Sequence, residues 1–346
     1  MAASLKEIAN AAGVSVATAA RFLNGDQKEV WVSTARRAQR VRDIAKQMGY
    51  RPSHRAKSLA RKSSMAVGLL YGRQSFFLAD LYHRINCRIS EQLSLNGYDL
   101  MMIPAVGPAS QWSGKLMDGR IDACIVCDPA PADLQSVLDE VDLPMIGINL
   151  STDAKIPMIR YDEAQGARLM MEHLLALGHR RFWMASYTET VERALRHMSF
   201  VVRIDTIKAI LAEHNLNDNF EFKTKTTPRQ FHAIASMPVH QRPTAIIAQN
   251  DARAMEVIRH LHDAGLRVPE DISVVGFNND NSSALFIPSI TSIDLPAQEA
   301  SDQAVKYVLE SLQNKQQKIK TKAQTINTVL DEQLIIRQST GQARNE

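Results

Sequence analysis

The sequence predicts an all-α helix-turn-helix head followed by an α/β body of two doubly wound parallel-sheet lobes. Three observations carry this reading. Two short amphipathic helices near the start meet at a glycine turn; the charge balance changes sign after the first 64 residues; and from Met65 onward apolar strands alternate with amphipathic helices. A length of 346 residues exceeds one ordinary domain and allows two or three with real cores. Hydrophobic residues make up 45% and charged residues 23%, a globular composition. No apolar run reaches the length of a membrane span. The opening MAASLKEIANAAGVS carries Glu7 and no long apolar core, so no signal peptide is expected. Cys87, Cys124 and Cys127 make no disulfide framework, which fits a reducing cytoplasm.

The first helix places Leu5, Ile8, Ala9 and Ala12 on one face, and Gly13 breaks it. Val14 can plug the space between two helices. Ser15 is a suitable N-cap, because its hydroxyl can accept from an unpaired backbone N–H. The second helix runs to about Asn24, with Ala19, Phe22 and Leu23 inward and Val16, Ala17, Thr18 and Arg21 outward. A third runs from Ser33 to about Met48, with Val41, Ile44, Ala45 and Met48 inward and Arg36, Arg37, Arg40 and Arg42 crowding its start and middle. Gly49 is the expected left-handed stop. Two short helices around a tight glycine turn form the helix-turn-helix pattern. Spacing of this kind also describes an ordinary three-helix bundle with a solvated basic face.

Charge narrows the choice. Residues 1–64 carry 13 Lys/Arg against 4 Asp/Glu, whereas the remainder carries 28 basic and 33 acidic residues. A basic head on an acidic body favours an anionic polymer at one end only. Between them, RPSHRAKSLARK reads as a basic linker. Pro52 disfavours helix at Arg51, and Ser53 can cap a short helix to Ala60 that would be marginal alone.

Candidate strands of the body are 66–71, 98–103, 123–127, 144–148, 157–161, 182–186, 244–249 and 272–277. That number exceeds one comfortable small sheet, so two lobes with a cleft between them are expected. Ligands then sit beyond the C-terminal strand ends. Cys124 and Cys127 have redox-motif spacing but lie in a strand, where residues three apart point to opposite faces, so core packing is expected of them. His260 and His262 stand two apart on a helix and do not face each other. No glycine-rich phosphate loop, metal-ligand motif or nucleophile elbow is present, which argues against an enzyme.

The segments LKEIANAAGVSVATAARFLNG, VSTARRAQRV and GYRPSHRAKSLA resemble the DNA-binding head of the lactose-repressor/purine-repressor family of bacterial transcriptional regulators. YDEAQGARLMMEHLLALGHRR, RPTAIIAQNDARAMEVIRHLHDAGLRVPEDISVVGF and IPSITSID resemble that family's periplasmic-binding-protein type core. The resemblance covers nearly the whole chain. The loop Gly25–Trp31 is longer than the family's usual one. The domains it implies are a helix-turn-helix DNA-binding head (1–50), a hinge-helix linker (51–64) and an effector-binding and dimerisation body (65–340). Crossovers between lobes are implied near Tyr161, Ser292 and Gln324. The first lobe would then span 65–160 plus 294–323, and the second 161–293 plus 324–340.

The resemblance also implies roles. Val16, Ala17 and Arg21 would face base edges, with Arg21 able to bind guanine bidentately. Ser15, Thr18, Asn24, Ser33 and Arg36 would hold phosphates. On the linker, Ala56 and Leu59 match minor-groove positions, Leu59 being the leucine that wedges between base pairs. The implied protein is an effector-responsive, sequence-specific regulator in the cytoplasm, without cofactor. It would act as a repressor of a carbohydrate-utilisation operon, binding a pseudo-palindromic operator as a homodimer. The ending QSTGQARNE has no heptad, so no tetramerisation helix is expected. A purine- or nucleoside-type corepressor is the alternative, and a solute receptor that binds no DNA a further one.

Effector-binding residues implied by the resemblance are Tyr82, Asn149, Arg203, Asn250 and Asn278, with Asp251 and Asp280 nearby. Sugar-binding relatives commonly carry carboxylates where this chain has the amides Asn149 and Asn278. Two readings stay open. Either Asp280 or Asp153 supplies the missing carboxylate and the effector is a neutral sugar, or the cleft around Arg203 is more positive and takes a sugar phosphate or sugar acid.

Overall fold

The computed structural model describes residues 3–24, 32–50, 58, 61, 63–72, 80–127, 130–131, 133–186, 197–223, 227–317 and 327–344. The chain divides into two compact units, Met1–Met65 and Ala66–Glu346.

The first unit holds α1 (Leu5–Ala12), α2 (Val16–Asn24) and α3 (Val32–Gln47). Ser4 starts α1 with a reciprocal cap: its Oγ accepts from the Glu7 N–H at 3.3 Å, and the Glu7 carboxylate accepts from the Ser4 N–H at 2.6 Å. Gly13 ends the helix at φ 69°, and its N–H returns to the Ala9 and Asn10 carbonyls. Ser15 caps α2 as expected, its Oγ accepting from the Thr18 N–H at 3.1 Å. Ile8, Ala9, Ala12, Ala19, Phe22, Val41 and Ala45 form the core with Ala38, which periodicity alone does not single out. Met48 departs from expectation: α3 stops at Gln47, one residue before it, and the side chain is 38% exposed.

The second unit contains two six-stranded sheets. The first has the order β11-β5-β4-β3-β1-β2, entirely parallel. Its strands are β1 (Ala66–Tyr71), β2 (Asp99–Pro104), β3 (Ala123–Cys127), β4 (Met145–Ile148), β5 (Met158–Tyr161) and β11 (Asn327–Leu330). The second has the order β12-β10-β9-β8-β6-β7. It comprises β6 (Phe182–Ala185), β7 (Phe220–Lys223), β8 (Ala245–Ala248), β9 (Ser273–Asn278), β10 (Thr291–Asp294) and β12 (Gln333–Ile335), with only β12 antiparallel to its neighbour. Central strands are buried throughout, as parallel strands covered on both faces must be. Cys127 joins the core on one face of the first sheet and Cys124 the core on the other.

The helices fill the connections. On the first lobe these are α4 (Asp80–Leu95), α5 (Gly114–Met117), α6 (Leu134–Leu138) and α12 (Ala297–Gln316), and α4 and α12 pack on each other. On the second they are α7 (Glu163–Ala176), α8 (Met198–Glu213), α9 (Pro228–Ser236), α10 (Asp251–Asp263) and α11 (Asn281–Leu285). The chain passes between lobes after Tyr161 and after Asp294, close to the expected places. The third passage differs. Gln324 lies outside the described residues, and β11 beyond it still pairs with β5, so the chain crosses at Asp331-Glu332, between β11 and β12. Among the described residues no helix is long and apolar enough to cross a membrane.

Candidate DNA interface and ligand cleft

On the head, burying Ala19 and Phe22 turns the opposite side of α2 outward. Val16 is 45% exposed, and Ala17 and Arg21 are exposed with it. Arg21 and the two small apolar side chains therefore stand together on the first two turns of the helix. Ser15 is exposed as well, but Thr18 is half-buried and its hydroxyl is tied to Ser15 Oγ at 2.8 Å. Ser33 and Arg36 are exposed on the first turns of α3, alongside Arg37 and Arg40, whereas Arg42 is half-buried. The head thus presents several exposed arginines beside a capped helix start. The backbone of Asn24 ends α2; its side chain, the loop Gly25–Trp31 and the positions of Ala56 and Leu59 lie outside the described residues, and of the expected linker helix Ser58 alone is described, as helical.

In the body the C-terminal strand ends converge on Arg203 of α8. Its guanidinium is nearly buried and lies flat against the Phe277 ring, 3.8 Å from the centroid. Nε donates to Glu163 Oε2 at 2.5 Å, and Nη1 to the Gln249 carbonyl at 3.4 Å. The other oxygen of Glu163 accepts from Asn149 Nδ2 at 3.3 Å, and the same amide nitrogen donates to Ser199 Oγ at 3.2 Å. Asn149, at φ 49°, follows β4, Gln249 follows β8, and Phe277 is next to last in β9. One ion pair therefore gathers the ends of three strands from both sheets.

Of the residues assigned to the effector, Asn149 and Arg203 meet directly through Glu163. Asn250 and Asn278 stand one residue from the groups that hold Arg203. Asn250 also caps α10, its Oδ1 accepting from the Arg253 N–H at 2.9 Å. Asn278, at φ 97°, offers its carbonyl to Arg84 of α4, which bridges the two lobes. Tyr82 is half-buried on α4 and packs against the main core.

Acids missed in the sequence dominate this centre. Glu163 is 2% exposed and pairs with Arg203; Glu332, also 2% exposed, occupies the third passage with its carboxyl beside that of Glu163. Gly166 makes room for it, since a Cβ there would stand 1.7 Å from Glu332 Oε2. Burial first, then the charge of Glu163, push the Glu332 carboxyl far up, with Arg203 opposing. Asp251 is raised to about 7 by burial although Ser292 Oγ, at 2.6 Å, and the Asp280 N–H, at 2.7 Å, both donate to it. Asp280 is raised to about 6, by burial and then by Asp80. Asp153 is exposed. The expectation of a more positive cleft is thereby corrected around Arg203: Glu163 already neutralises it. The one available signal for Glu163 was an acidic pair just after a strand, in YDEAQGARL. Glu332 had none, because an acidic pair between two short apolar runs reads as surface.

The acidity of Glu332 predicts a pH effect. Its value in the fold lies above the 4.5 of an exposed glutamate, so the folded state binds the extra proton. The associated stability is fully present below about 4.5 and is lost as pH rises toward about 9. Glu332→Gln is therefore expected to flatten the fall in melting temperature between pH 5 and 9. At pH 8 it should be more stable than the parent by about 1–3 kcal/mol. Parallel pH–melting curves for the two proteins would refute this.

Known proteins resemble both units. Residues 4–53 match the model of the bacterial regulatory proteins of the lacI family, and residues 171–340 match the periplasmic binding protein-like domain. The HTH-type transcriptional repressor PurR of Aliivibrio fischeri (strain MJ11) is 29% identical over 327 residues, which cover 90% of this chain and 93% of that protein. Among solved structures, the lac repressor dimer bound to operator and the anti-inducer ONPF superposes with a TM-score of 0.80 at 23% identity, covering 99% of this chain and all of that one. A complex of the transcriptional regulator CelR with cellobiose superposes with a TM-score of 0.65 at 20% identity, covering 97% and 99% of the two chains.

Proposed function

Because the chain belongs to the lacI family of bacterial regulatory proteins, a family of DNA-binding transcriptional regulators with an effector-binding domain, we propose that it is a repressor whose operator affinity is set by a sugar-type effector held between its lobes. The observation that carries this reading is the pairing of two features in one chain. Val16, Ala17 and Arg21 stand exposed on a capped helix of a basic head, and the strand ends of a two-lobed body meet at a buried arginine. Arg21 reads guanine in the major groove, while Val16 and Ala17 touch thymine methyls and hydrogen-bond no base. Ser15, Thr18, Asn24, Ser33 and Arg36 fix the register on phosphates. Asn149, Arg203, Asn250 and Asn278, with Tyr82 at the margin, contact the effector.

A short recognition helix reads few base pairs, so the operator is a pseudo-palindrome bound by two linked heads of a homodimer. The effector prefers one closure of the lobes and so shifts the spacing of the paired linkers. The linker carries Ala56 and Leu59 into the minor groove. Leu59→Ala is expected to leave effector binding unchanged but to reduce operator bending and specific affinity; unchanged bending by energy transfer would refute the wedge. The relative named PurR favours a second reading, a purine- or nucleoside-type corepressor, whereas the neighbour solved with cellobiose favours a sugar.

Genomic footprinting of the full chain, followed by release assays on the recovered operator with sugars and purines, tests the proposal. Footprints without a shared pseudo-palindrome would refute operator binding. An operator complex indifferent to every compound would refute effector control.

A further inference from the structure

The arginine at the centre of the cleft is not available as a free cation. Glu163 takes its Nε edge at 2.5 Å, the Gln249 carbonyl takes Nη1, and Phe277 covers one face. Behind this pair stands a second acid, Glu332, packed into the space left by Gly166. Glu163 alone pairs with the guanidinium, and the protonated Glu332 stands behind it. An arriving phosphate or carboxylate would have to displace Glu163 from Arg203, or bring a further negative charge against that carboxylate in a low-dielectric site.

The polar atoms left over around the cleft have the opposite need. Asn149 Oδ1 and Asp280 Oδ1 are buried acceptors without a donor among the described residues. Both lie just beyond strand ends, Asn149 after β4 and Asp280 after β9. Buried acceptors are costly when unmet, so a ligand that donates to them gains what it satisfies.

We propose that Glu163, backed by Glu332, is the selectivity residue of this cleft: by holding Arg203 it admits uncharged molecules rich in O–H or N–H donors and refuses their phosphorylated and carboxylated analogues. This deepens the effector reading above and rests on it. Neutral sugars and free purine bases both satisfy the chemistry.

Calorimetry with inorganic phosphate at constant ionic strength tests the charge selectivity directly. The proteins compared are the full-length wild type and Glu163→Gln/Glu332→Gln, which keeps the side-chain size and frees Arg203. Phosphate bound by the basic head is common to both, so the difference reports the cleft. The double variant is expected to bind phosphate at least about tenfold more tightly at a saturable site. Glu163→Gln alone, with Glu332 left to support the arginine, gives a smaller gain of the same sign and serves if the double variant does not fold. Equal phosphate affinity in wild type and variants overturns the proposal. In a second arm, wild type is titrated with ribose beside ribose 5-phosphate, and with hypoxanthine beside inosine 5′-monophosphate. Preference for the neutral member of either pair supports the proposal and names its source; tighter binding of a phosphorylated member overturns it. An operator complex whose affinity no neutral compound changes would sink the effector reading alone, because the phosphate comparison does not depend on it.

Discussion

Arg203→Ala is expected to lower the unfolding free energy of the body by about 3–5 kcal/mol near neutral pH. The guanidinium is buried, hydrogen-bonded to Glu163 at 2.5 Å and stacked on Phe277. Removing it leaves Glu163 buried without its cation and takes from Glu332 the positive charge that opposes the upward push on its carboxyl. It also removes an aliphatic stem and a planar head that pack on an aromatic ring. The two causes are separable. In a Glu163→Gln/Glu332→Gln background the same substitution strands no carboxylate and removes a cation that has lost its partner, so it should cost at most the packing, about 1–2 kcal/mol. Urea unfolding followed by the fluorescence of Trp112 and Trp183, which both lie in the body, measures both values. Equal destabilisation in the two backgrounds would mean that the carboxylates do not depend on Arg203.

All eight strands expected from apolar runs are strands, within a residue or so at each end. Four others, β7, β10, β11 and β12, escape such a reading for physical reasons. β7, β11 and β12 are short strands at sheet edges, where one side stays exposed and, as in FEFK and NTVL, no continuous apolar run forms. β10 is wholly different: Thr291 and Ser292 are fully buried, but their hydroxyls are satisfied. Thr291 Oγ1 lies 2.8 Å from Thr340 Oγ1, and Ser292 Oγ donates to Asp251. Hydropathy cannot reveal a strand whose inward residues are polar, because the compensating partners come from distant parts of the chain.

The cleft shows the same limit. Asn149 and Arg203 are identifiable one by one, and the fold does join them, but through Glu163, an acid that faces Arg203 across 40 residues of sequence. Glu332 lies farther still, and its burial depends on Gly166 having no side chain. The charge of a cleft is a sum over residues that topology assembles. On the head the reverse holds. The residues proposed to read bases all lie on α2, so helical periodicity alone separates Ala19 and Phe22, buried, from Val16, Ala17 and Arg21, exposed. Met48 escapes that rule by lying just past the end of its helix.

Arg21→Ala is expected to weaken specific operator binding by about 1–3 kcal/mol while changing affinity for random DNA little. Arg21 is exposed on α2 beside Val16 and Ala17, two side chains with no hydrogen-bonding group. Of the side chains exposed on that face, it is the one that can donate two parallel bonds to guanine O6 and N7, so removing it abolishes discrimination at one base pair of each half-site. Arg36, exposed on the first turns of α3, supplies charge to a phosphate in the proposed complex. Arg36→Ala should therefore weaken specific and random DNA alike, and lower the slope of log affinity against log salt by about one for each phosphate that is no longer neutralised. Fluorescence anisotropy at several salt concentrations, on the footprinted operator and on a scrambled duplex of the same length, separates the two behaviours. If Arg21→Ala weakens both duplexes equally and lowers the salt slope, this arginine lies on the backbone and base reading falls to other residues.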